Sequence, residues 1–207
     1  MGGRAKATLP MGDTSVLGCI LRSVRALDLP CQLVGAHESC PESPDLGAVM
    51  AATGLPLIRD RHPDAGPLAG LDAAFSATDA PRILLLACDL PFLTPDFLGW
   101  LLEQAEDECA VPVDANGRLH PLCAVYQATC RLHLAQALNA RKLRLQEFSR
   151  SISARMLARK EWARFDPHGR LLTNLNDPAD YAAAQQWFAD VGRQTESSTV
   201  RRSNNGR

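Results

Sequence analysis

The stretch I-L-L-L-A-C-D-L-P, residues 83–91, decides the fold class of this chain. Its first six residues are apolar, and a short apolar run that ends at turn residues is typical of a strand buried on both faces. The run leads directly into Asp89, Leu90 and Pro91. Because ligands gather beyond the carboxyl ends of the strands in parallel α/β sheets, the sequence places Asp89 where a substrate would bind.

The segments on either side of this stretch alternate between strand and helix patterns. We predict further strands over residues 32–34, 57–58, 110–113 and 122–126. A Thr-Pro pair at residues 94–95 indicates the start of a helix that reaches residue 106, and other helices are predicted over 129–139 and 144–158. Strands separated by helices imply crossover connections, so we expect an α/β fold with a mostly parallel, doubly wound sheet.

The composition is that of one globular domain. With 207 residues, 46% of them hydrophobic, the chain is long enough to bury a substantial core. We expect the domain to span residues 1–192. Residues 193–207 are almost entirely polar and are therefore expected to form a disordered tail.

Charge and hydropathy exclude several classes of function. A net charge of −1 argues against a nucleic-acid or membrane-surface binder, and no apolar run reaches the length of a membrane span. The amino-terminal residues lack the apolar core of a secretory signal, so a cytoplasmic location is expected. The seven cysteines contain no C-x-x-C pair and are interpreted as reduced packing residues.

Carboxylates in two segments are candidates for a metal or nucleotide site. Asp89 could hold Mg²⁺, which prefers one or two carboxylates together with phosphate oxygens, or it could cap the turn before Pro91. The segment D-R-H-P-D-A-G-P-L-A-G, residues 60–70, could offer backbone N–H groups to a phosphate, or be an ordinary loop before a helix. Asp60, Asp64 and Asp89 could together surround a metal, or be solvated loop charges.

The amino terminus and the histidines leave further alternatives open. Gly2, Gly3, Arg4 and Lys6 suit a triphosphate pocket, but a frayed polar terminus has the same composition. The chain has neither a P-loop nor a G-x-G-x-x-G motif, and its histidines lack the spacing of a metal site. His120 could face a pocket or belong to a turn.

Five motifs in order resemble those of one family, the molybdenum cofactor guanylyltransferases, which are nucleotidyltransferases with a glycosyltransferase-A-like α/β fold. The motifs are M-G-G-R-A-K at residues 1–6, the D and G-P-L-A-G of residues 60–70, L-A-C-D-L-P-F at 86–92, L-H-P-L-C-A-V-Y at 119–126, and N-L-N-D-P at 174–178. In the last motif Asp177 replaces the usual Thr. The G-P-L-A-G block favours the guanylyl branch over the cytidylyl branch.

The resemblance implies transfer of GMP from GTP to molybdopterin, with release of pyrophosphate. The attacking phosphate oxygen is already anionic, so positioning and charge neutralisation are what the protein must supply. By the resemblance, Asp89 would bind Mg²⁺ and Lys6 would contact the phosphates of GTP.

The remaining site residues follow from the same resemblance. Asp60 would belong to the guanosine-binding loop, and Asn174 and Asn176 would lie near the metal and the pterin. Gly35 stands where family members tend to have Asn, so one hydrogen bond to the nucleotide would be missing or supplied elsewhere. We expect a monomer that acts on small molecules and makes transient contact with molybdoenzymes or their chaperones.

Two alternatives and one expectation about the start of the chain remain. The protein could be a related nucleotidyltransferase that uses CTP or a sugar phosphate, or a non-catalytic protein that binds the pterin or nucleotide. The resemblance begins midway through the nucleotide-binding motif, without the family's first strand and the start of its loop. We therefore expect that the natural protein begins upstream of Met1, or else that it is a degenerate copy that binds GTP poorly.

Overall fold

The structure is a computed structural model that describes residues 6–35 and 46–190. The expected tail over residues 193–207 lies outside these ranges. The helices are α1 (Val16–Arg25), α2 (Leu46–Thr53), α3 (Gly66–Ser76), α4 (Pro95–Glu103), α5 (Arg131–Asn139), α6 (Leu145–Ser151), α7 (Arg159–Trp162) and α8 (178–190). The strands are β1 (Pro10–Met11), β2 (Thr14–Ser15), β3 (Leu33–Gly35), β4 (Leu57–Arg59), β5 (Arg82–Leu86), β6 (Cys109–Pro112), β7 (Cys123–Gln127) and β8 (Ala154–Leu157).

The main sheet has four strands in the order β5-β7-β6-β8. Strand β7 is antiparallel to β5 and β6, and β8 is parallel to β6. Strands β3 and β4 form a separate parallel pair. The predicted α/β class is confirmed: β5, β6 and β8 run in the same direction, and within the described ranges β7 alone of the main sheet runs against them. The reason is that residues 113–122 join β6 to β7 without a helix, so the chain reverses instead of crossing over.

The second half of one predicted helix is a strand in the structure. The helix expected over residues 144–158 ends at Ser151, and Ala154–Leu157 forms strand β8 beside β6. The A-R-M-L sequence of β8 is a good helix former, yet Leu157 is fully buried and every residue of the strand has a partner in β6. Tertiary pairing has therefore overridden local helix propensity.

The strand that decides the fold class is also less buried than predicted. All four residues of β6 are buried, whereas residues 83–86 of β5 are only half-buried. Within the described ranges β5 pairs with β7 alone, so its other edge has no described neighbour. An apolar strand with one open edge keeps part of its surface in contact with solvent. The expectation of an upstream start stays a prediction.

Helices pack on both faces of the sheet and separate the core into clusters. One cluster lies under α1 and α4, and a second lies under α3, α5 and α6. A third cluster joins Phe92, just after β5, to Leu175 and to Ala184 of α8. This last cluster brings the segment that follows β5 against the segment that precedes α8, and so positions the candidate site.

Candidate functional site

Four of the residues singled out in the sequence meet just beyond the carboxyl end of β5. The side-chain amide of Asn174 donates to Oδ1 of Asp89 at 2.9 Å, and the Leu175 N–H donates to the Asp89 backbone oxygen at 3.1 Å. Nζ of Lys6 donates to the backbone oxygen of Asn176 at 2.7 Å. Lys6, Asp89, Asn174 and Asn176 therefore form one hydrogen-bonded group, although 170 positions separate Lys6 from Asn176.

Local hydrogen bonds explain why the segment carrying both asparagines is held in place. Asp166 is buried, accepts the backbone N–H groups of Arg170 and Leu171 at 2.7 and 3.0 Å, and pairs with Arg159 at 3.1 Å. These contacts fix the turn that leads into Asn174.

The start of α8 anchors the other end of this segment. Oδ1 of Asp177 accepts the N–H groups of Ala179 and Asp180 at 2.8 and 2.9 Å. Because Asp and Thr both cap helix amino termini, Asp177 serves the capping role that a Thr would serve here. The departure from the family motif at this position is therefore conservative.

The donor set fits a magnesium ion that is shared with a substrate. Asp89 is half-buried, and Asn174 occupies one of its carboxylate oxygens while the other accepts no hydrogen bond from the described residues. Within those residues no three His, Cys, Asp or Glu side chains are grouped closely enough to hold a metal. The metal site of Asp60, Asp64 and Asp89 that the sequence left open is therefore wrong. A single carboxylate is what Mg²⁺ needs when phosphates supply its other ligands.

Gly35 and Asp60 form a second group at the ends of β3 and β4. The Asp60 N–H donates to the Gly35 oxygen at 3.0 Å, which continues the parallel ladder by one step. Oδ1 of Asp60 accepts the His62 N–H at 3.2 Å and so orders the loop before α3. In the part of the chain that the structure describes, no hydrogen bond joins this pair to the group around Asp89.

A cavity of about 400 Å³ opens beside the Asp89 group. Its wall contains Asn174 from that group, Leu90 next to Asp89, Pro67 from the first turn of α3, and residues 118–123 and 144–147. The cavity therefore joins pieces of four of the motifs that the sequence analysis identified separately. Most of its wall is apolar. Arg118 supplies positive charge from an exposed position, whereas Arg144 is paired at 3.0 Å with Glu147, which also lines the cavity.

His120 lies in the cavity wall, which resolves the alternative left open by the sequence. Its side chain is only 10% exposed, and its Nε2 lies 3.2 Å from Oδ2 of Asp114. Burial lowers the pKa of His120, although the neighbouring carboxylate of Asp114 opposes the shift. The ring is therefore neutral near pH 7.

The partner of His120, Asp114, and two residues of the cavity wall were missed from the sequence. Asp114 precedes Asn116 and Gly117, a pattern that predicts a turn and could have located it. Nothing in the sequence places Arg144 and Gln146 at the cavity, because they precede or begin a helix that only tertiary packing brings there.

For the described cysteines the interpretation as packing residues holds with one correction, and Cys40 lies outside the described residues. Burial raises the pKa of the Cys109, Cys123 and Cys130 thiols, as expected for packing residues. Cys88, in contrast, is exposed next to Asp89, so it does not act as a core residue. No helix in the described ranges combines the length and apolar character needed to cross a bilayer.

Two solved structures illustrate the fold that this chain shares with known proteins. The molybdopterin-guanine dinucleotide biosynthesis protein A of Archaeoglobus fulgidus superposes with a TM-score of 0.71 at 19% identity, covering 89% of this chain and 91% of its own. The 2-C-methyl-D-erythritol 4-phosphate cytidylyltransferase of Thermus thermophilus superposes with a TM-score of 0.60 at 18% identity, covering 89% and 95%. This chain therefore has the α/β fold that these two proteins share.

Sequence comparison then gives the family. Residues 1–159 match the MobA-like NTP transferase domain, and the chain belongs to that family. The molybdenum cofactor guanylyltransferase of Cereibacter sphaeroides is 33% identical over 189 residues, 89% of each chain. A probable molybdenum cofactor guanylyltransferase of Carboxydothermus hydrogenoformans is 26% identical over 187 residues, 90% of each chain.

Proposed function

We propose that this enzyme transfers GMP from GTP to molybdopterin and releases pyrophosphate. The observation that supports it best is the group of Asp89, Asn174 and Lys6, which places a carboxylate and a cation beside a cavity large enough for a small acceptor. The names of the curated relatives point to the same nucleotide and the same acceptor.

The reaction is an in-line displacement at the α-phosphorus of GTP. A terminal phosphate oxygen of the acceptor forms the new P–O bond, and the bond between the α-phosphorus and the bridging oxygen breaks as pyrophosphate leaves. The nucleophile is already anionic, so no side chain has to remove a proton. The protein must hold the two phosphates in line and offset their mutual repulsion.

We propose that Asp89 holds Mg²⁺ and that Lys6 contacts the phosphates of GTP. When bound, the ion would neutralise charge on the reacting phosphates. The hydrogen bond from Asn174 orients the carboxylate of Asp89 and keeps one oxygen engaged. The Lys6 ammonium uses one of its three donors on the Asn176 oxygen, which ties it to the segment that also carries Asn174 and leaves donors for a phosphate.

The second group would bind the nucleoside. A carboxylate at Asp60 can accept both N1–H and the 2-amino group of guanine, two donors that adenine and cytosine do not present together. Gly35 lies beside it at the end of β3 and offers backbone only. We propose that Asn176 and Asn174 face the acceptor side, since Asn174 lines the cavity as well as contacting Asp89.

We also propose that the enzyme is a cytoplasmic monomer with transient contact to molybdoenzymes or their chaperones. The exposed large apolar side chains within the described ranges are Met50, Leu132 and Met156, which lie on three different elements. Scattered apolar residues of this kind do not form the contiguous patch that a permanent interface needs.

The test compares nucleotides in the presence of Mg²⁺ and molybdopterin. GTP should support release of pyrophosphate and formation of a pterin dinucleotide, whereas CTP and ATP should support far less. Equal rates with GTP and CTP would contradict the guanylyl assignment, and product formation from a sugar phosphate acceptor would contradict the acceptor assignment.

A further inference from the structure

His120 lines the cavity beside Asp89, and one of its two ring nitrogens has no hydrogen-bond partner among the described residues. Its Nε2 lies 3.2 Å from Oδ2 of Asp114, and a carboxylate oxygen can only accept, so Nε2 carries the ring proton. The neutral ring then has a lone pair on Nδ1, and Nδ1 makes no hydrogen bond to any described residue. A side chain that is nine-tenths buried thus leaves a strong acceptor without a partner in the described part of the chain.

The turn that carries Asp114 holds the ring in this state. Oδ1 of Asp114 accepts the N–H groups of Asn116 and Arg118 at 2.8 and 3.0 Å, so both of its oxygens are used. The Asp114 N–H also donates to the Arg118 oxygen at 3.0 Å, and Gly117 completes the turn with a φ of +77°. The ring orientation and the position of its proton are therefore fixed before a ligand binds.

The surroundings of Nδ1 suit a flat heterocycle. Leu119, Leu122 and Leu145 give the cavity apolar surface on which a ring can pack, and Arg118 at its edge can attract a phosphate. A pterin has this chemistry, because its bicyclic ring carries N–H donors on the pyrimidine edge and its side chain bears the phosphate that must reach Asp89.

We infer that His120 binds the acceptor by taking a hydrogen bond from a ring N–H of the pterin at Nδ1, and that Asp114 is the positioning residue that keeps Nδ1 unprotonated. The inference rests on the proposed function, and it identifies the residue that recognises the acceptor. An acceptor without such an N–H would cover Nδ1 without offering it a donor in place of water, and would therefore bind less tightly.

Three variants separate this role from a structural one. In His120→Gln the amide nitrogen can still reach Asp114, but no group replaces Nδ1. In His120→Asn the shorter amide places an acceptor near the position of Nδ1. In Asp114→Asn the amide would donate to Nε2, which moves the ring proton to Nδ1 and converts the acceptor into a donor.

The first measurement is direct binding of 6-hydroxymethylpterin, followed by its fluorescence, which does not depend on transfer activity. His120→Gln and Asp114→Asn should each weaken binding about tenfold, the cost of one unpaired buried acceptor, and His120→Asn should recover most of the loss. The matched control is His133→Gln, since His133 also pairs with a carboxylate, Glu108 at 2.8 Å, but lies outside the cavity wall. It should bind normally.

Two further readouts complete the test. In the transfer reaction the KM for molybdopterin should rise about tenfold in His120→Gln while the KM for GTP stays unchanged. Nitrogen-15 NMR of the histidines should show Nδ1 of His120 unprotonated in the parent protein and protonated in Asp114→Asn. Unchanged pterin binding in His120→Gln would overturn the inference. Normal pterin binding by a protein that transfers no GMP would instead overturn the proposed function and leave the His120 result standing.

Discussion

The side-chain amide of Asn174 donates a 2.9 Å hydrogen bond to the carboxylate of Asp89, across 85 positions of sequence. Asp89 follows the carboxyl end of β5, and Asn174 also lines the cavity proposed for the acceptor. One contact therefore couples the proposed metal ligand to the acceptor site. This coupling suits a reaction in which two phosphates must meet at one point, because a single pair of side chains orients both sides.

Replacing Asp89 by Asn should abolish transfer without unfolding the protein. The amide cannot offset the charge of Mg²⁺, so the rate should fall by about two to three orders of magnitude, as when a key electrostatic group is removed. The apolar residues of β5 are untouched, so the melting temperature should change little. Asp79→Asn is the control, because Asp79 is an exposed carboxylate before the other end of β5. Near-normal activity in Asp89→Asn would refute the assignment.

The two asparagines should not be equivalent. Asn174→Ala removes the donor to the Asp89 carboxylate, so the Mg²⁺ concentration for half-maximal activity should rise severalfold. Asn176 contacts Lys6 through its backbone oxygen, which Asn176→Ala retains. Its Mg²⁺ requirement should therefore stay close to that of the parent protein. Titrating Mg²⁺ at saturating GTP distinguishes the two variants. Equal increases in the Mg²⁺ concentration for half-maximal activity would show that the contact between Asn174 and Asp89 does not affect the use of Mg²⁺.

Lys6→Gln should weaken the interaction with the triphosphate. The ammonium acts as a point charge, and a neutral amide of similar length keeps the contact with the Asn176 oxygen but not the attraction to phosphate. We expect kcat/KM for GTP to fall by about tenfold or more, with little change in pterin binding. Initial rates at several GTP concentrations measure the effect. A variant with unchanged kcat/KM would remove Lys6 from the site.

Asp60→Asn should reduce the preference for GTP. The amide can still accept the His62 N–H through its oxygen, so the loop should hold, but it cannot accept both guanine donors. Binding of GTP should weaken by about 1–3 kcal/mol while binding of ATP stays as weak as before. Asp64→Asn, a change in the same loop, is the matched control. Calorimetric titration gives the affinities, and an equal loss for both variants would argue against guanine recognition by Asp60.

The free energy of unfolding should fall in mildly acidic solution because of His120. Burial first, and then the charge of Arg118, lower the pKa of His120 below its ordinary value of 6.5, against the opposing influence of Asp114. The unfolded chain therefore binds a proton at this histidine more tightly than the folded chain does. The contribution of neutral His120 to the free energy of unfolding is complete above pH 6.5 and is lost as the pH falls below that value. Urea unfolding at several pH values should show the loss, and His120→Gln should lack it. Parallel curves for the two proteins would contradict the buried, neutral histidine.

The sequence was informative where local pattern and chemistry coincide. An apolar run ending in Asp89 identified β5 and its carboxyl end. The resemblance carried by the ordered motifs predicted that Lys6, Asn174 and Asn176 belong to the same site. Long-range pairing was less predictable. Strand β8 has helix-forming residues, and the reversal at β7 follows from the connection over residues 113–122, which is shorter than the roughly a dozen or more residues that a parallel crossover takes.

The side-chain contacts around the cavity were also hard to predict from the sequence. His120 was recognised as a candidate, but the partner that sets its protonation state, Asp114, was not, because only the folded turn brings the two side chains within 3.2 Å. Arg144 reaches the cavity through the packing of α6, which no short sequence pattern encodes. Such contacts depend on tertiary structure and not on spacing along the chain.

The most direct test of the central claim follows the α-phosphate of GTP. The protein is incubated with Mg²⁺, molybdopterin and GTP labelled with phosphorus-32 at the α position, and in parallel at the γ position. The proposed function predicts that the α label appears in a pterin dinucleotide in equal amount to the γ label in pyrophosphate, and that Asp89→Asn forms neither product. Recovery of the α label only in GTP, GDP or GMP, with no labelled pterin, would contradict it.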